Sequence, residues 1–574
     1  MFLKQLIVAV GLVLLCSSNT SYGQNYPEYP YPAEFGNPLG IDWKLSGTFG
    51  EPRGNHFHAG TDIKTNGAVG YKLYAVQDGY VARIKVSPYG YGNALYIAHP
   101  NGYTSVYGHM SEFNTKIDSL LKHYQYATQE FEQDIYLDSD KLKVKKGDII
   151  GLSGNSGGSA GPHLHFELRE SNSQFPINPL LFGYEVLDNK PPTINGIKVT
   201  SIPEGKSYYD VEGKRLDLLK GEKGYYLKDT LLLDKGAIAI GFHGYDQQTL
   251  TTNKNGIFRV EMFVNDESYF VWTMDKTSFD QGRYVNAFRD FYEQKYNRTI
   301  YNCFRLPGNY LDVYEYLVND GFVKPNGNEV VKVNIEVWDF HQNKSKIELF
   351  VQAKNESATT AIDSNTTLVN YNQNVSVKKD GFAAYFPQGT FYDDVNMYYE
   401  RRKNQSSSIY SDNHQLHNKL IPLHKSAVIQ VDPINLPEKY KDKAVMMHKD
   451  FKNVEQVLTT FWKDNMVSAR CKEVGTFYVK IDSLAPTINV LNYTEKTKTF
   501  RGDQIRLKIS DNLAGIEHYK GFIDDQWVLF EYDAKRNALT YNFDKYCPKG
   551  EHNLKVLVTD GVGNVATKEI SFVN

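Results

Sequence analysis

The sequence predicts a mainly β protein built from several domains. The chain has 574 residues, and because one hydrophobic core stops growing near roughly 250–300 residues, three or four domains are expected. Aromatic residues make up 14% of the chain, with 42 Tyr and 31 Phe, and such side chains favour the half-buried surface of a sheet. Alternating runs such as Ile505, Leu507 and Ile509 indicate strands.

The charge balance argues against nucleic-acid binding. Lys and Arg number 64 and Asp and Glu 67, which gives a formal net charge of -3. No run of Lys or Arg forms a basic patch that would attract a phosphate backbone. No nucleic-acid partner is therefore expected.

The N-terminus has the features of a signal peptide over residues 1–23. Lys4 supplies a positive charge, residues 6–16 are apolar, and Gly23 ends a short stretch of small residues before Gln24. No later run of about 18 apolar residues predicts a transmembrane helix. We therefore expect export to the periplasm, the cell envelope or the medium, with Gln24 as the first residue of the mature chain.

The cysteines leave one alternative open at the N-terminus. Cys16 could anchor a lipoprotein, although Leu15 stands where a lipid-attachment site prefers a small residue. The other cysteines lack the Cys-x-x-Cys spacing of a thiolate zinc site or a redox motif: Cys303, Cys471 and Cys547. Cysteine chemistry is therefore not expected.

A repeated signal divides the chain after residue 187. The sequence D-N-K-P-P-T-I begins at Asp188, and D-S-L-A-P-T-I begins at Asp482. Each precedes strand-like runs, and a later Asp is followed four positions on by Asn in both copies. The repeat predicts immunoglobulin-like β-sandwich modules at residues 188–353, with an insertion near 267–325, and at residues 482–574.

Residues 354–481 form a further β-rich module in this division. Its histidines have no common metal spacing on a recognisable strand or helix: His414, His417, His424 and His448. We expect a spacer that binds the cell wall or a partner protein of the envelope, without chemistry of its own.

The strongest chemical signal is the sequence H-L-H-F-E-L-R at residues 163–169. On a strand, alternate side chains share a face, so the leucines and the phenylalanine face a core. The polar residues then face outward together: His163, His165, Glu167 and Arg169. The small residues at 157–161 leave space for a groove above them.

Two further clusters contain residues that bind metals or transfer protons. His58 and Asp62 stand four residues apart with Gly60 between them, and an imidazole and a carboxylate at this spacing can close on an ion such as zinc. The sequence Tyr107-Gly108-His109 follows a predicted strand pair.

Together these clusters resemble the lysostaphin/LytM-type peptidoglycan metallopeptidases, over about Ser46 to Phe182. The resemblance implies an N-terminal peptidase domain at residues 24–187, with an antiparallel β-sheet groove and a duplicated hybrid motif. It also implies a Zn²⁺ cofactor held by His58, Asp62 and His165, and catalytic roles for His109 and His163.

The chemistry of this residue set is consistent with that implication. Three protein ligands leave one tetrahedral position for water, and a neighbouring imidazole can accept its proton or stabilise an oxyanion. His56 would share a strand face with His58, but the spacing to Asp62 favours His58 as the ligand. For Glu167 three interpretations stay open: a solvated residue, a partner of arginine, or a residue that supports a ligand.

The stretch at residues 111–143 is longer than the loop usual in this family. Residues at helical spacing predict a helix that packs an apolar stripe onto the domain: Phe113, Ile117, Leu120, Leu121 and Tyr124. This helix would either form a wall of the substrate groove or be a plain surface insertion.

The leading hypothesis is an endopeptidase that cleaves peptide cross-bridges of bacterial peptidoglycan, either a stem cross-link or a glycine bridge. One alternative is a non-catalytic envelope regulator that activates other wall hydrolases, and another is a scaffold dominated by the β modules. Because the implied ligands and catalytic histidines all precede residue 188, we expect residues 24–187 to fold and act alone.

Overall fold

The structure is a computed structural model that describes residues 30–32, 34–354 and 366–574. The expected signal peptide and Cys16 lie outside the described residues. Strands predominate and pair mostly antiparallel, which confirms the predicted mainly β fold with an N-terminal antiparallel sheet. No helix within the described ranges is long and apolar enough to span a membrane.

The N-terminal region is built on a sheet with the order β1-β2-β11-β6-β5-β4-β8, with β12 beside β11 and β9 beside β4. A small sheet, β3-β10-β7, packs with it. The elements are β1 (Leu45–Gly47), β2 (Thr61–Lys64), β3 (Lys72–Tyr74), β4 (Gly79–Val86), β5 (Asn93–Ala98), β6 (Tyr103–Met110), β7 (Glu112–Phe113), α1 (Thr115–Thr128), β8 (Gln133–Tyr136), β9 (Lys143–Val144), β10 (Ile149–Leu152), β11 (His163–Glu170), β12 (Pro176–Ile177) and a 3₁₀ turn (Pro179–Phe182).

Strand β11 lies at the centre of this sheet, between β2 and β6. Its apolar residues Leu164, Phe166 and Leu168 are fully buried in the core, as the alternation predicts. His165 lies opposite Asp62 on β2 and opposite Gly108 on β6. The register therefore brings residues that are distant in sequence to one place on the sheet.

Helix α1 confirms that the insertion at 111–143 contains a helix, but Phe113, predicted at helical spacing, lies in β7 before the helix begins. The Asn114 side chain accepts a hydrogen bond from the Ile117 amide at its first turn, and Ile117 and Leu121 are buried in the N-terminal core. Tyr124 is exposed instead of packed, because it lies at the edge of the apolar stripe. The other side of the helix contacts the end of the chain, where Tyr126 stacks on Tyr546 at 4.4 Å.

The next region contains a four-stranded sheet, β14-β13-β18-β21, and an eight-stranded sheet, β15-β16-β24-β23-β19-β20-β22 with β17 beside β24. Its elements are β13 (Thr193–Ile202), β14 (Lys214–Leu216), β15 (Leu219–Gly221), β16 (Gly224–Tyr226), β17 (Leu231–Leu233), β18 (Ala237–Tyr245), β19 (Arg259–Val264), β20 (Glu267–Thr273), α2 (Val285–Phe288), α3 (Phe291–Gln294), β21 (Ile300–Asn302), β22 (Tyr314–Leu317), β23 (Val330–Trp338), β24 (Lys344–Ala353) and 3₁₀ turns at Tyr208–Asp210, Gly282–Tyr284 and Asn319–Gly321.

The third region pairs a six-stranded sheet, β25-β28-β29-β35-β31-β32, with a five-stranded sheet, β26-β27-β30-β34-β33. Its elements are β25 (Thr366–Val369), β26 (Val375–Lys379), β27 (Phe382–Phe386), β28 (Val395–Arg402), β29 (Asn413–Leu416), β30 (Pro422–Val431), β31 (Ala444–Lys449), β32 (Glu455–Leu458), β33 (Thr460–Lys463), β34 (Met466–Glu473), β35 (Gly475–Ile481) and a 3₁₀ turn (Glu438–Lys443).

The last region has a four-stranded sheet, β36-β39-β43-β42, and a six-stranded sheet, β37-β38-β45-β44-β40-β41. Its strands are β36 (Thr487–Val490), β37 (Tyr493–Thr494), β38 (Thr499–Phe500), β39 (Gln504–Ser510), β40 (Ile516–Ile523), β41 (Gln526–Trp527), β42 (Glu531–Asp533), β43 (Ala538–Asn542), β44 (Glu551–Asp560) and β45 (Val565–Val573).

The first two regions share parts of their cores. Phe57, from the N-terminal region, is buried in the core of the second region, where its ring meets Phe288 at 5.3 Å. Phe340, from the second region, is buried in the N-terminal core. Arg289 donates to the carbonyl oxygens of Pro52 and Arg53. These contacts argue against the expectation that residues 24–187 fold alone. The isolated fragment would expose Phe57 to water and would have a cavity in its core where Phe340 packs.

Candidate active site

Strands β2 and β11 bring His58, Asp62 and His165 together as three potential ligands. His58 Nε2, Asp62 Oδ1 and His165 Nδ1 lie 3.0 Å from one another in each pair. Ligand atoms about 2.0–2.1 Å from a tetrahedral zinc ion would be separated by roughly 3.3 Å. The three donors, which are buried, therefore fit a zinc ion both by type and by spacing.

Hydrogen bonds to the far sides of the two rings select the nitrogens that face this centre. His58 Nδ1 lies 2.8 Å from the Thr48 carbonyl oxygen, to which only an N–H can donate, so Nε2 is left for a metal. His165 Nε2 lies 2.7 Å from Glu167 Oε1, which leaves Nδ1. A carboxylate or carbonyl behind a ligating histidine fixes its tautomer in this way.

The charge of Asp62 is stabilised from two sides. Its Oδ2 accepts a hydrogen bond from Arg53 Nη2 at 3.1 Å, and its Oδ1 faces the imidazoles. Burial alone would raise the pKa of the Asp62 carboxyl, but His58 and contacts with His163 and His165 hold it well below its usual range. Asp62 is therefore an anion at neutral pH.

Behind His165, Glu167 and Arg169 form a buried ion pair. Arg169 Nε lies 2.6 Å from Glu167 Oε2, and Glu167 is fully buried. Burial opposes the charge, yet the Arg169 guanidinium and the hydrogen bond from His165 lower the pKa of Glu167 to about 2. Glu167 therefore both pairs with arginine and supports a candidate ligand, and the interpretation as a solvated residue is wrong.

The protonation of His165 depends on the same carboxylates. Burial lowers its pKa, but hydrogen bonds to Asp62 and Glu167 outweigh burial and raise the pKa to about 9. Without a metal, His165 Nδ1 thus holds a proton at neutral pH, at the position where a metal ion would bind.

His109 and His163 lie beside these three residues. The His109 and His163 rings are 4.8 Å apart, and the His109 and His165 rings 5.9 Å. His109 Nδ1 donates to the Ser156 carbonyl oxygen at 2.9 Å, so its other nitrogen is left for chemistry. Burial, with the nearby His165 and His163, lowers the pKa of His109 to about 3, and His109 is therefore neutral at pH 7.

His163 is oriented by the small-residue loop that precedes it. Its Nδ1 lies 2.8 Å from the Gly161 carbonyl oxygen and 3.2 Å from Ser159 Oγ, and its Nε2 lies 3.4 Å from Asp62 Oδ1. The structure thus brings all five residues implied by the resemblance into one cluster. His56 is exposed and lies outside the group of three donors.

The cluster opens into a groove of about 1260 Å³. Its lining includes Arg53, His56 and Tyr91 from the N-terminal region. Among the described residues, none from helix α1 lines this groove, so the predicted helix does not form one of its walls.

The second region forms part of the groove wall. Leu250, Thr277, Ser278 and Phe279 line the groove, and the Phe279 ring stacks on the Arg169 guanidinium at 4.5 Å. The polar face of β11, which the sequence predicts to be open, is therefore partly covered by residues that lie 80 or more positions further along the chain. The alternation of polar and apolar residues along a strand does not predict which distant residues will cover one of its faces.

The last region also contacts the N-terminal region beside the candidate active site. Lys535 Nζ donates to the carbonyl oxygens of Asn155 and Ser159, the latter at 3.1 Å. Ser159 also contacts the His163 ring. The loop that orients His163 is thus supported by a residue near the end of the chain.

Comparison with known proteins identifies the class of the N-terminal domain. Residues 56–129 and 120–179 match peptidase family M23, and residues 366–482 match the Zu5-like domain. The chain therefore carries an M23-type peptidase domain, which confirms the resemblance to the lysostaphin/LytM-type enzymes at the level of the family.

Named relatives match about a quarter of the chain. The peptidoglycan DD-endopeptidase ShyA of Vibrio cholerae is 34% identical over 138 residues, which are 23% of this chain and 26% of that protein. The glycyl-glycine endopeptidase ALE-1 of Staphylococcus capitis is 31% identical over 154 residues, 27% of this chain and 30% of that protein. The chain thus spans between a quarter and a third of the length of these two relatives.

Two solved structures also resemble the chain. A variant catalytic domain of the prophage-encoded M23 protein EnpA from Enterococcus faecalis is 28% identical, covers 25% of this chain and 95% of that one, and has a TM-score of 0.19. The catalytic domain of lysostaphin from Staphylococcus simulans is 26% identical, covers 24% and 91%, and also has a TM-score of 0.19.

Proposed function

We propose that this protein is a zinc-dependent endopeptidase that hydrolyses peptide cross-bridges of bacterial peptidoglycan. The observation that carries the proposal is the convergence of His58 Nε2, Asp62 Oδ1 and His165 Nδ1 at 3.0 Å, next to two further histidines on one groove. A zinc ion bound there would lower the pKa of a water and polarise the scissile carbonyl. The names of the relatives support the substrate class.

His109 is proposed to act as the general base. Its Nδ1 proton is held by the Ser156 carbonyl, so the remaining nitrogen presents a lone pair to the groove. The low pKa of His109 keeps this nitrogen unprotonated at neutral pH. This nitrogen is a weak base, and it accepts a proton only as the water is being ionised in its attack on the peptide carbonyl.

His163 is proposed to stabilise negative charge on the substrate. The Gly161 carbonyl fixes its Nδ1, and its Nε2 points toward Asp62 and the centre of the cluster. Because Nδ1 already donates to Gly161, Nε2 carries an N–H only when the ring is doubly protonated. In that form it is a donor, held in place before the reaction, that stabilises a developing oxyanion without reorganising. Arg53 and Tyr91 line the groove nearby and would contact the peptide on either side.

Digestion of purified sacculi tests the proposal. The zinc-loaded mature chain should convert cross-linked muropeptides into monomers, as read by mass spectrometry, while the Asp62→Ala chain and a zinc-depleted sample should not. The masses of the products also show whether a stem cross-link or a glycine bridge is cut. Unchanged muropeptides with a fully zinc-loaded chain would contradict the proposed activity.

The non-catalytic regulator is the second candidate function. The contacts of Lys535 with the loop before His163, and of Phe279 beside the groove, are of the kind that would restrain an enzyme. The presence of all three potential ligands and both further histidines argues against loss of catalysis. Activation of another wall hydrolase by the Asp62→Ala chain would favour the regulator.

A further inference from the structure

Three buried aspartates meet at the junction between the first and second regions. Asp188 precedes β13, Asp246 follows β18, and Asp339 follows β23. One carboxylate oxygen from each lies within 4.8 Å of the others, and all three residues are buried. None of them belongs to the candidate active site.

Two buried polar side chains at this junction have atoms without a hydrogen-bond partner. Asp246 is 4% exposed, and its Oδ1 has no hydrogen-bond partner. Asn255 is 2% exposed, and neither its Oδ1 nor its Nδ2 has one. The two residues exchange both backbone hydrogen bonds, at 3.0 and 2.8 Å, so their side chains lie next to each other on one face.

The three carboxylates repel one another in this buried position. Burial, followed by the charges of Asp339 and Asp188, raises the pKa of Asp246 well above its usual range. Burial and the charge of Asp188 raise the pKa of Asp339 to about 7, although hydrogen bonds from Asn343 oppose the rise. Several anions in one buried site are stable only when a cation or protons neutralise them.

We propose that Asp188, Asp246, Asp339 and the side-chain oxygen of Asn255 bind a calcium ion. All four offer oxygen, which selects a hard cation, and carboxylates with an amide oxygen are typical ligands of Ca²⁺. Asn343 orients one of the ligands, since its Nδ2 and its backbone N–H donate to Asp339 at 2.7 and 2.9 Å.

The same arrangement occurs again at the start of the last region. Asp482, Asp511 and Asp560 bring carboxylate oxygens within 4.8 Å of one another. Asp511 Oδ1 has no partner, as is true of Asp246 Oδ1. Asn564 donates to Asp560 at 2.7 and 2.8 Å, as Asn343 does to Asp339. The second cluster is less buried than the first, and the experiment below uses a variant of it to separate the two clusters.

A cation at the first cluster would connect the peptidase domain to the next region. Asp188 lies in the segment that joins them, whereas Asp246 and Asp339 are at the ends of two strands of the second region. Phe340, directly after Asp339, is buried in the N-terminal core. The ion would thus fix the segment that places the groove wall beside the active site.

Calcium titration of variants of the full, zinc-loaded chain tests the proposal. Asp511→Asn removes a carboxylate of the second cluster, so the one Ca²⁺ that this chain should bind by calorimetry can be assigned to the first cluster. The melting temperature should rise by several degrees at millimolar Ca²⁺. Adding Asp246→Asn should abolish both effects. The exposed Asp229→Asn should change neither.

Three results would overturn the proposal. The first is no Ca²⁺ binding by the wild-type and Asp511→Asn chains, and the second is equal binding with and without Asp246→Asn. The third is that Asp246→Asn raises the melting temperature equally with and without Ca²⁺. That result would show that protons, and not a cation, neutralise the three carboxylates. If circular dichroism shows that the Asp246→Asn chain does not fold, the Asn255→Ala chain is used in its place. Its Ca²⁺ affinity should be about tenfold weaker than that of the Asp511→Asn chain, and an unchanged affinity would contradict the site.

Discussion

Each histidine in the candidate active site has one ring nitrogen fixed by a neighbouring oxygen. Thr48 fixes His58, Ser156 fixes His109 and Gly161 fixes His163 through backbone carbonyls. Only His165 is fixed by a charged side chain, that of Glu167. The orientation of three of the four rings thus depends on the position of a backbone carbonyl. A sequence motif gives residue types and spacing, but not the positions of these carbonyls.

Substitutions should separate residues that hold zinc from residues that act on substrate. Replacing His58, Asp62 or His165 by Ala removes one of three proposed ligands, so zinc content and activity should fall together. His109→Ala should keep its zinc and lose about 10²–10⁴-fold in rate, the range typical of a general base or oxyanion donor. Elemental analysis beside sacculus digestion measures both, and a metal-free or fully active His109→Ala chain would contradict its assigned role.

Zinc binding should release a proton near neutral pH. The pKa of about 9 for His165 lies above pH 7.5, so the metal-free chain carries a proton that a metal ligand must lose. At least about one proton per zinc should be released at pH 7.5, and the part that comes from His165 should decline as the pH rises past 9. Calorimetry in buffers of different ionisation enthalpy measures this number, and no release at pH 7.5 would refute the predicted protonation.

Glu167→Gln should weaken zinc binding without removing a ligand. The substitution keeps the shape of the side chain but removes the charge that holds the Nε2 proton of His165. Loss of such a supporting partner typically costs 10- to 100-fold in metal affinity. Glu170→Gln, on the same strand but partly exposed, is the matched control. Equal zinc affinity in both variants would show that Glu167 only pairs with Arg169.

Among the elements, β11 shows what could be predicted from sequence. Alternation correctly predicted the strand and the burial of Leu164, Phe166 and Leu168. It could not predict that Glu167 is fully buried, because Glu167 pairs with Arg169, and Arg169 is itself covered by the distant Phe279. Local periodicity encodes which side of a strand a residue occupies, but not what later covers that side.

The apolar face of helix α1 should contribute more to stability than its exposed position at Tyr124. Leu121 is 5% exposed in the N-terminal core, so Leu121→Ala should lower the free energy of unfolding by about 2–5 kcal/mol. Tyr124 is 37% exposed, and Tyr124→Ala should cost much less. Chemical denaturation of the two variants measures the difference, and similar losses would show that the helix packs differently.

On the scale of the whole molecule, the boundary between the first two regions is the least predictable feature. The Pro-rich signal after Asp188 suggests a linker, but Phe57 and Phe340 each pack in the other region's core. The family resemblance identified the proposed ligands, because a motif keeps their spacing. It held no information on Leu250 or Phe279, since these groove residues lie outside the motif.

The fragment of residues 24–187 should therefore be unstable and inactive, whereas residues 24–353 should fold and hydrolyse sacculi. The longer fragment keeps the partner of Phe57, the Arg289 contacts and the Phe279 wall. Solubility, zinc content and muropeptide release compare the two fragments. A stable, fully active shorter fragment would show that the second region is dispensable.

The shared groove wall also has a consequence for the order in which the protein is made. A ribosome completes the proposed ligands, the last of which is His165, well before it reaches Phe279, and Lys535 follows much later. Because domains fold from the N-terminus as synthesis proceeds, a nascent or prematurely terminated chain has all the proposed catalytic residues but lacks the wall beside them. A chain that stops before Phe279 therefore lacks part of the proposed groove and, like the fragment of residues 24–187, is expected to be unstable and inactive.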